Sequence, residues 1–236
     1  MTFKTLLFFV LGTLVPTATT WAQSAMDKSS AYFRTIGAGV APTDLFYSDG
    51  GPKPVPVAVG VEGRSSYYRL PNRTKPLAFF RLSKGADGKD AYVPVAQVNL
   101  ADLGRHSLMV FSRSLTEKNA LVVTGLKDDA EAVPGGSCRF VNLLQKGTGV
   151  LLGGQKIVLA PGQSVVAPVL PSSNKTTVQV MVYTSGRDGE ATRVYATIWP
   201  NDSTKRGLVL IVPNPNKAAG AEVKYLPETI TQLPTD

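Results

Sequence analysis

Cysteine is nearly absent from this chain. Cys138 is the only one in 236 residues. No internal disulfide can form, so stability must come from packed apolar surface, which a chain of this length can supply. Histidine is as scarce, and His106 stands alone. Any Ser–His–Asp or Cys–His mechanism would have to use it. Asp102 lies nearby in "ADLGRHSL", but four residues of loop do not by themselves align two side chains. No G-x-S-x-G elbow occurs. One histidine and one cysteine cannot close a zinc site. The acidic loops "DDAE" (128–131) and "GADGKD" (85–90) do not follow the EF-hand pattern. Paired carboxylates for glycoside hydrolysis meet only in the fold, and nothing singles out a pair. The expectation is a protein with no catalytic, metal or cofactor site.

Long apolar runs and helical periodicity are also missing. After residue 22 no segment reaches the roughly 20 apolar residues that span a bilayer. The start, "MTFKTLLFFVLGTLVPTATTWAQS", has the layout of a secretory leader. Lys4 is its positive end, Leu6 to Val15 its short apolar run, and Thr20 and Ala22 the small residues before cleavage at Gln23. Residues 1–22 are therefore expected to be removed, leaving an exported protein without a transmembrane segment, periplasmic or on a bacterial cell surface. A single thiol in an exported chain favours a bacterial source. Sequons at Asn72, Asn174 and Asn201 point the other way, but so short a motif arises by chance.

Acidic residues are outnumbered. Lys and Arg total 25 against 17 Asp and Glu, a net charge of +8. Such a balance favours acidic partners: anionic polysaccharide or an acidic envelope protein. Export argues against nucleic acid. The cations are scattered as pairs, among them Arg73 and Lys75, Arg81 and Lys84, Arg105 and Arg113, Lys205 and Arg206, which on their own describe a solvated surface.

What is present is strand after strand. Segments rich in Val, Tyr, Phe, Leu and Ile, such as "VPVAVG" (55–60), "PLAFFRL" (76–82), "HSLMVFS" (106–112), "RFVNLL" (139–144) and "GLVLIVP" (207–213), alternate with Gly, Pro, Asn, Asp and Ser clusters. In "TTVQVMVYT" (176–184), Val178, Val180 and Val182 recur at period two, the mark of a half-buried strand. The segments also repeat. "DLFYSDGGPKPVPVAVGVEGRSSYYRLPN" (44–72) runs in parallel with "CRFVNLLQKGTGVLLGGQKIVLAPG" (138–162), at a lag of 95 residues from Leu45 to Phe140. "AYVPVAQVNL" matches "ATRVYATIWP" at a lag of 100, and "HSLMVFSRS" matches "GLVLIVPNP" at 101. The predicted fold is all-β: two tandem immunoglobulin-like β-sandwich domains, 23–130 and 131–226, arising from an internal duplication. A loose tail is expected over 227–236.

Few short motifs carry chemistry. "GVLLGGQK" (149–156) has the glycine spacing of a phosphate loop, but Gln155 stands where the lysine belongs and a β-like run follows instead of a helix. Gly153 and Gly154 read as a two-residue hairpin turn, whose positive φ glycine reaches without strain. Cys138 heads an apolar strand as a buried thiol. "LPETI" (226–230) lacks the glycine of a sortase signal. Aromatic rings remain as candidate surface-binding groups: Tyr67, Tyr68 and Trp199 first, then Phe79, Phe80, Tyr92 and Tyr195. Adjacent aromatics in a strand point to opposite faces, so one of each pair should look outward.

The phrase "RFVNLLQKGTGVLLGGQKIVLAPGQSV", with F-x-N opening a strand and L-x-P-G closing a hairpin, is similar to segments of uncharacterised exported bacterial β-sandwich proteins. That resemblance implies an exported β-fold and no activity. In format the chain resembles periplasmic pilus-assembly chaperones, which have a leader, two immunoglobulin-like domains and a basic balance. Three functions follow as expectations. The first is a non-catalytic binding or scaffolding module at the bacterial cell envelope. The second is a chaperone-like protein donating a strand edge to a partner subunit. The third is a protein that binds or hydrolyses glycans.

Overall fold

The computed structural model describes residues 30–70, 75–85, 88–114, 116, 117, 120–169, 176–185 and 189–230. The expected leader, the sequons at Asn72 and Asn174, and residues 231–236 lie outside them. The described residues form strands and no α-helix. The first half contributes β1 (Tyr32–Gly37), β2 (Leu45–Tyr47), β3 (Val55–Val57), β4 (Tyr68–Arg69), β5 (Leu77–Lys84), β6 (Asp90–Val98), β7 (His106–Arg113) and β8 (Leu121–Lys127). The second contributes β9 (Ser137–Asn142), β10 (Thr148–Leu152), β11 (Gln155–Leu159), β12 (Ser164–Pro168), β13 (Thr177–Ser185), β14 (Ala191–Pro200), β15 (Lys205–Pro213) and β16 (Ala221–Thr229).

Four four-stranded sheets result, and strands pair only within their own half. The first half has the orders β4-β1-β7-β8 and β3-β2-β5-β6. Adding eight to every label gives the second half, β12-β9-β15-β16 and β11-β10-β13-β14. The parallel pairing of β1 with β7 recurs between β9 and β15. A bulge at Val95 in β6 recurs at Val194 in β14. The fold is thus all-β, with two tandem sandwiches of one topology.

Side-chain alternation sorts the layers. In β1, Phe33 enters a core with Met109, Phe111, Leu77 and Phe79, between the two sheets of its own half. Phe140, Val209 and Ile211 do the same against Val150, Val180 and Val182 in the second half. The opposite faces meet each other. Ile36, Leu108, Val110 and Leu126 pack on Val141, Leu208, Leu210 and Val212, forming a third core along the seam between the halves. The two middle sheets are therefore buried on both faces. That explains why "GLVLIV" in β15 is apolar without alternation, whereas β13, with one face in solvent, alternates buried and exposed.

The repeat differs from the sequence expectation in its register. β1 carries no strong strand signal because Arg34 and Thr35 interrupt it, and it is β1 that corresponds to β9. The counterpart of the β10–β11 hairpin is the β2–β3 connection through Gly50 and Gly51. The lag near 100 in the later strands holds: β7 with β8 and β15 with β16 place Leu108 opposite Leu126 and Leu208 opposite Leu226. Residues 227–229, expected to open the tail, instead belong to β16. Its extra residues are held because Glu228 is buried.

The F-x-N…L-x-P-G phrase acquires a physical meaning. Asn142 is fully buried at the end of β9. Its Nδ2 donates to the carbonyls of Lys146 (2.8 Å), Leu159 (3.2 Å) and Ala160 (3.1 Å), and its Oδ1 accepts from Leu144 N–H. Gly162, at φ 74°, donates its N–H back to the Asn142 carbonyl. The phrase is a clamp that ties the β10–β11 hairpin to β9.

Candidate functional site

Charged side chains are gathered at one end of the seam. Alternation places Arg34 on the seam face of β1, between Phe33 and Thr35. Arg206 is the second residue of β15, and Glu228 lies opposite it in β16. Asp128 follows β8 and donates its N–H to the His106 carbonyl, so Asp128 holds in the first half the place that Glu228 holds in the second. Both carboxylates turn into the seam and share guanidinium groups. Arg34 donates to Glu228 and, at 2.7 Å, to Asp128 Oδ2. Arg206 donates from Nε to Glu228 Oε2 (2.9 Å) and from Nη1 to the Asp128 carbonyl (2.9 Å). Each arginine therefore bridges both halves. Tyr67 covers the cluster, with the Arg34 guanidinium 4.7 Å from its ring centroid.

Burial of charge is costly unless pairing compensates for it. At Glu228 burial pushes the carboxyl up, but the Arg34 hydrogen bond and the charges of Arg64, Arg34 and Arg206 outweigh it and hold the group down at about 2. Arg34 is likewise held well above its ordinary value, because its bond to Glu228 and the charge of Asp128 outweigh its burial. Arg64 is the weaker member. Its side chain is buried, its contacts to Asp128 and Glu228 are 3.6 and 3.5 Å, and burial shifts it downward. The cluster locks the halves together, and its acceptors are already taken.

The open part of the seam is at the other end. A cavity of about 690 Å3 lies between the halves, with Ala38 and Val61 on one wall and Leu143, Val212 and Pro213 on the other. A second cavity of about 240 Å3 adjoins it, sharing Val40, Ala41 and Arg113 and adding Arg81 and Leu121. The combined groove carries three cations, Arg81, Arg113 and Lys224, and one carboxylate, Glu222, which accepts from Asn214 Nδ2 at 2.7 Å. Among the described residues no aromatic ring lines it.

The residues expected from sequence fall elsewhere. Trp199 is not a surface residue: it is 3% exposed and stacked at 4.2 Å on Tyr225, because alternation turns it into the second core. Tyr67 is half-buried over the charge cluster. Tyr68 is half-buried, stacked on Phe33 at 5.3 Å, and accepts the Ala58 N–H. These three rings do not form one platform. Of Phe79 and Phe80, the first is core and the second is half-buried on the outer face of its sheet beside Phe46. Gly153 and Gly154 join β10 to β11 at φ 57° and 98°. His106 pairs with Asp129, not Asp102: its N–H donates to Asp129 Oδ1 at 2.7 Å, and Nδ1 lies 3.5 Å from the same oxygen. Cys138 is buried, and burial pushes its thiol up to about 12.

Sequence reasoning missed the seam and the groove. A usable signal for the seam was an arginine inside an apolar strand, as in "YFRTIG" and "CRFVN". For the groove it was an arginine following the apolar members of the core-facing row of β5 and of β7. Among the described residues no group of three or more His, Cys, Asp and Glu is placed to hold a metal ion, and no helix is long and apolar enough to cross a membrane. No protein-family model matches the chain, and a search of curated proteins finds no match.

Proposed function

We propose that this protein is an exported, non-catalytic binding module of the bacterial cell envelope, built as two sandwiches fixed in one orientation. The observation that carries this reading is the groove along the open end of the seam. Its walls come from both halves, and its arginines have no ion pair among the described residues. Clefts between packed units are common ligand sites. The leader-like residues 1–22 and the net charge of +8 support export and an acidic partner.

A binding role is favoured over thiol catalysis by burial: the Cys138 thiol is buried with its proton held. Strand donation has less support. The long edge strands β6 and β14 each carry a bulge, and Pro94 removes a donor from β6; both features blunt an edge.

Expression with a C-terminal tag, followed by fractionation and mass measurement, tests export. The expected product is extracytoplasmic and begins at Gln23. The same tagged protein should retain a partner from an envelope fraction at moderate salt. A cytoplasmic, uncleaved product, or retention that salt erases without selectivity, would contradict the reading.

A further inference from the structure

We infer that the seam groove binds a linear, carboxylate-bearing polysaccharide, with Arg81 and Arg113 taking one acid group and the apolar floor taking the sugar ring that bears it. The inference rests on the binding-module reading and names the ligand class for that site.

The two arginines are placed by the strands. In β5 the core-facing row is Leu77, Phe79, Arg81. In β7 it is Met109, Phe111, Arg113. Both rows bury their apolar members in the first core and then pass to a guanidinium at the same rim, followed in β5 only by the exposed Ser83, and both arginines line the smaller cavity with Val40, Pro42 and Leu121. A row that continued the core would end on an apolar residue or a paired charge. Here two exposed guanidinium groups share a pocket with no carboxylate among its described lining residues. Like charges held together without a counter-ion repel, and an anion at that point removes the repulsion. The arginine fork matches a two-oxygen acceptor.

The shape argues for a chain over a single ion. The pocket shares Val40, Ala41 and Arg113 with the larger cavity, where Lys224 supplies a further cation and the exposed Asn216 supplies an amide group suited to hydroxyls. The absence of lining rings separates ligand classes. Single-stranded nucleic acid is held by bases stacked on aromatic side chains, and a neutral glycan would lack any charged anchor here. A uronic acid carries its carboxylate directly on the ring, so acid and C–H face arrive together. That spacing fits guanidinium groups beside Ala41, Pro42 and Leu121. A phosphodiester-linked glycan sets the charge in the linker, away from the ring.

The test is titration calorimetry of the full mature chain with size-fractionated polygalacturonate. Its methyl ester, a teichoic-acid preparation and polyglutamate serve as comparison ligands. Wild type should bind the polyuronate and not its ester. Arg81→Ala and Arg113→Ala should each weaken binding by about tenfold or more, as expected for charge-assisted bonds. Arg113→Lys should restore only part of the loss, since lysine keeps the charge but not the fork. Both positions are exposed, so melting temperatures should stay near wild type; a variant that melts early is replaced by Arg81→Gln. Absent binding to polyuronate, equal binding of polyglutamate or teichoic acid, or indifference to both arginine substitutions would overturn the inference. An envelope partner still retained by the Arg81→Ala/Arg113→Ala chain would overturn it while leaving the binding-module reading in place.

Discussion

The guanidinium of Arg34 donates hydrogen bonds to the carboxylate of Glu228, 194 positions later and in the other sandwich. Removing one partner leaves the other charge buried and uncompensated, which costs roughly 3–5 kcal/mol. Arg34→Met and Glu228→Gln should each destabilise by about that amount in urea unfolding. Arg64→Met should cost clearly less, because Arg64 makes only longer contacts and its removal relieves the excess of cations over carboxylates. Equal losses at Arg34 and Arg64 would show that the geometry does not rank them.

Acid should loosen the seam in a defined window. The Glu228 carboxyl lies at about 2 in the folded protein against an ordinary 4.5. A depressed carboxyl stabilises fully above its unfolded value and loses that contribution as pH falls through the folded one. The loss should therefore develop between about pH 4.5 and 2, and amount to roughly 3 kcal/mol at 1.36 kcal/mol per unit. Glu228→Gln should lack this component, so its stability should fall less steeply over the same window. A parallel decline in both proteins would assign the acid sensitivity elsewhere.

Asn142 should be the least replaceable polar residue of the second sandwich. Its amide satisfies three carbonyls, and its oxygen takes the Leu144 N–H. Asn142→Leu keeps the volume and strands those groups, for a cost of about 2–4 kcal/mol. Asn142→Asp should fail similarly, because a carboxylate cannot donate to carbonyls. Near-wild-type melting of either variant would remove the clamp from the account.

Cys138 should be silent toward thiol reagents until the protein unfolds. It is buried, and burial raises its thiol to about 12, so little thiolate forms near neutrality. Across the parallel pairing lies Gly207, where a new Cβ would collide with the Cys138 sulfur and come within 2.8 Å of Tyr225. Gly207→Ala should cost about 1–3 kcal/mol through overpacking, and adding Cys138→Ala should recover part of it. Rapid labelling of the native protein, or a neutral Gly207→Ala, would contradict this packing.

The parts of the fold that were legible in the sequence follow from local rules. Period-two alternation found β13, where one face meets solvent, and the Gly153–Gly154 pair marked the β10–β11 turn because two successive positive φ angles demand glycine. The duplication was legible in the later strands, whose spacing near 100 survives as paired register. It was misaligned in the early ones, because β1 hides a buried arginine that reads as a strand-breaker when its partner is 194 residues away. Trp199 was misassigned for a related reason: an aromatic strand shows its period but not which face is buried. The groove was illegible as a site. Arg81 and Arg113 looked like members of scattered pairs until the fold brought the ends of β5 and β7 to one rim.

The groove exists only while the two halves keep their orientation, since its walls come from both. Scanning calorimetry of the whole chain tests that most directly. The account predicts one transition at neutral pH whose calorimetric and van't Hoff enthalpies agree, and its division into two in Glu228→Gln or Arg34→Met. Two separate transitions in the wild-type protein would mean that the sandwiches melt independently, and the seam would not be the element that builds the binding groove.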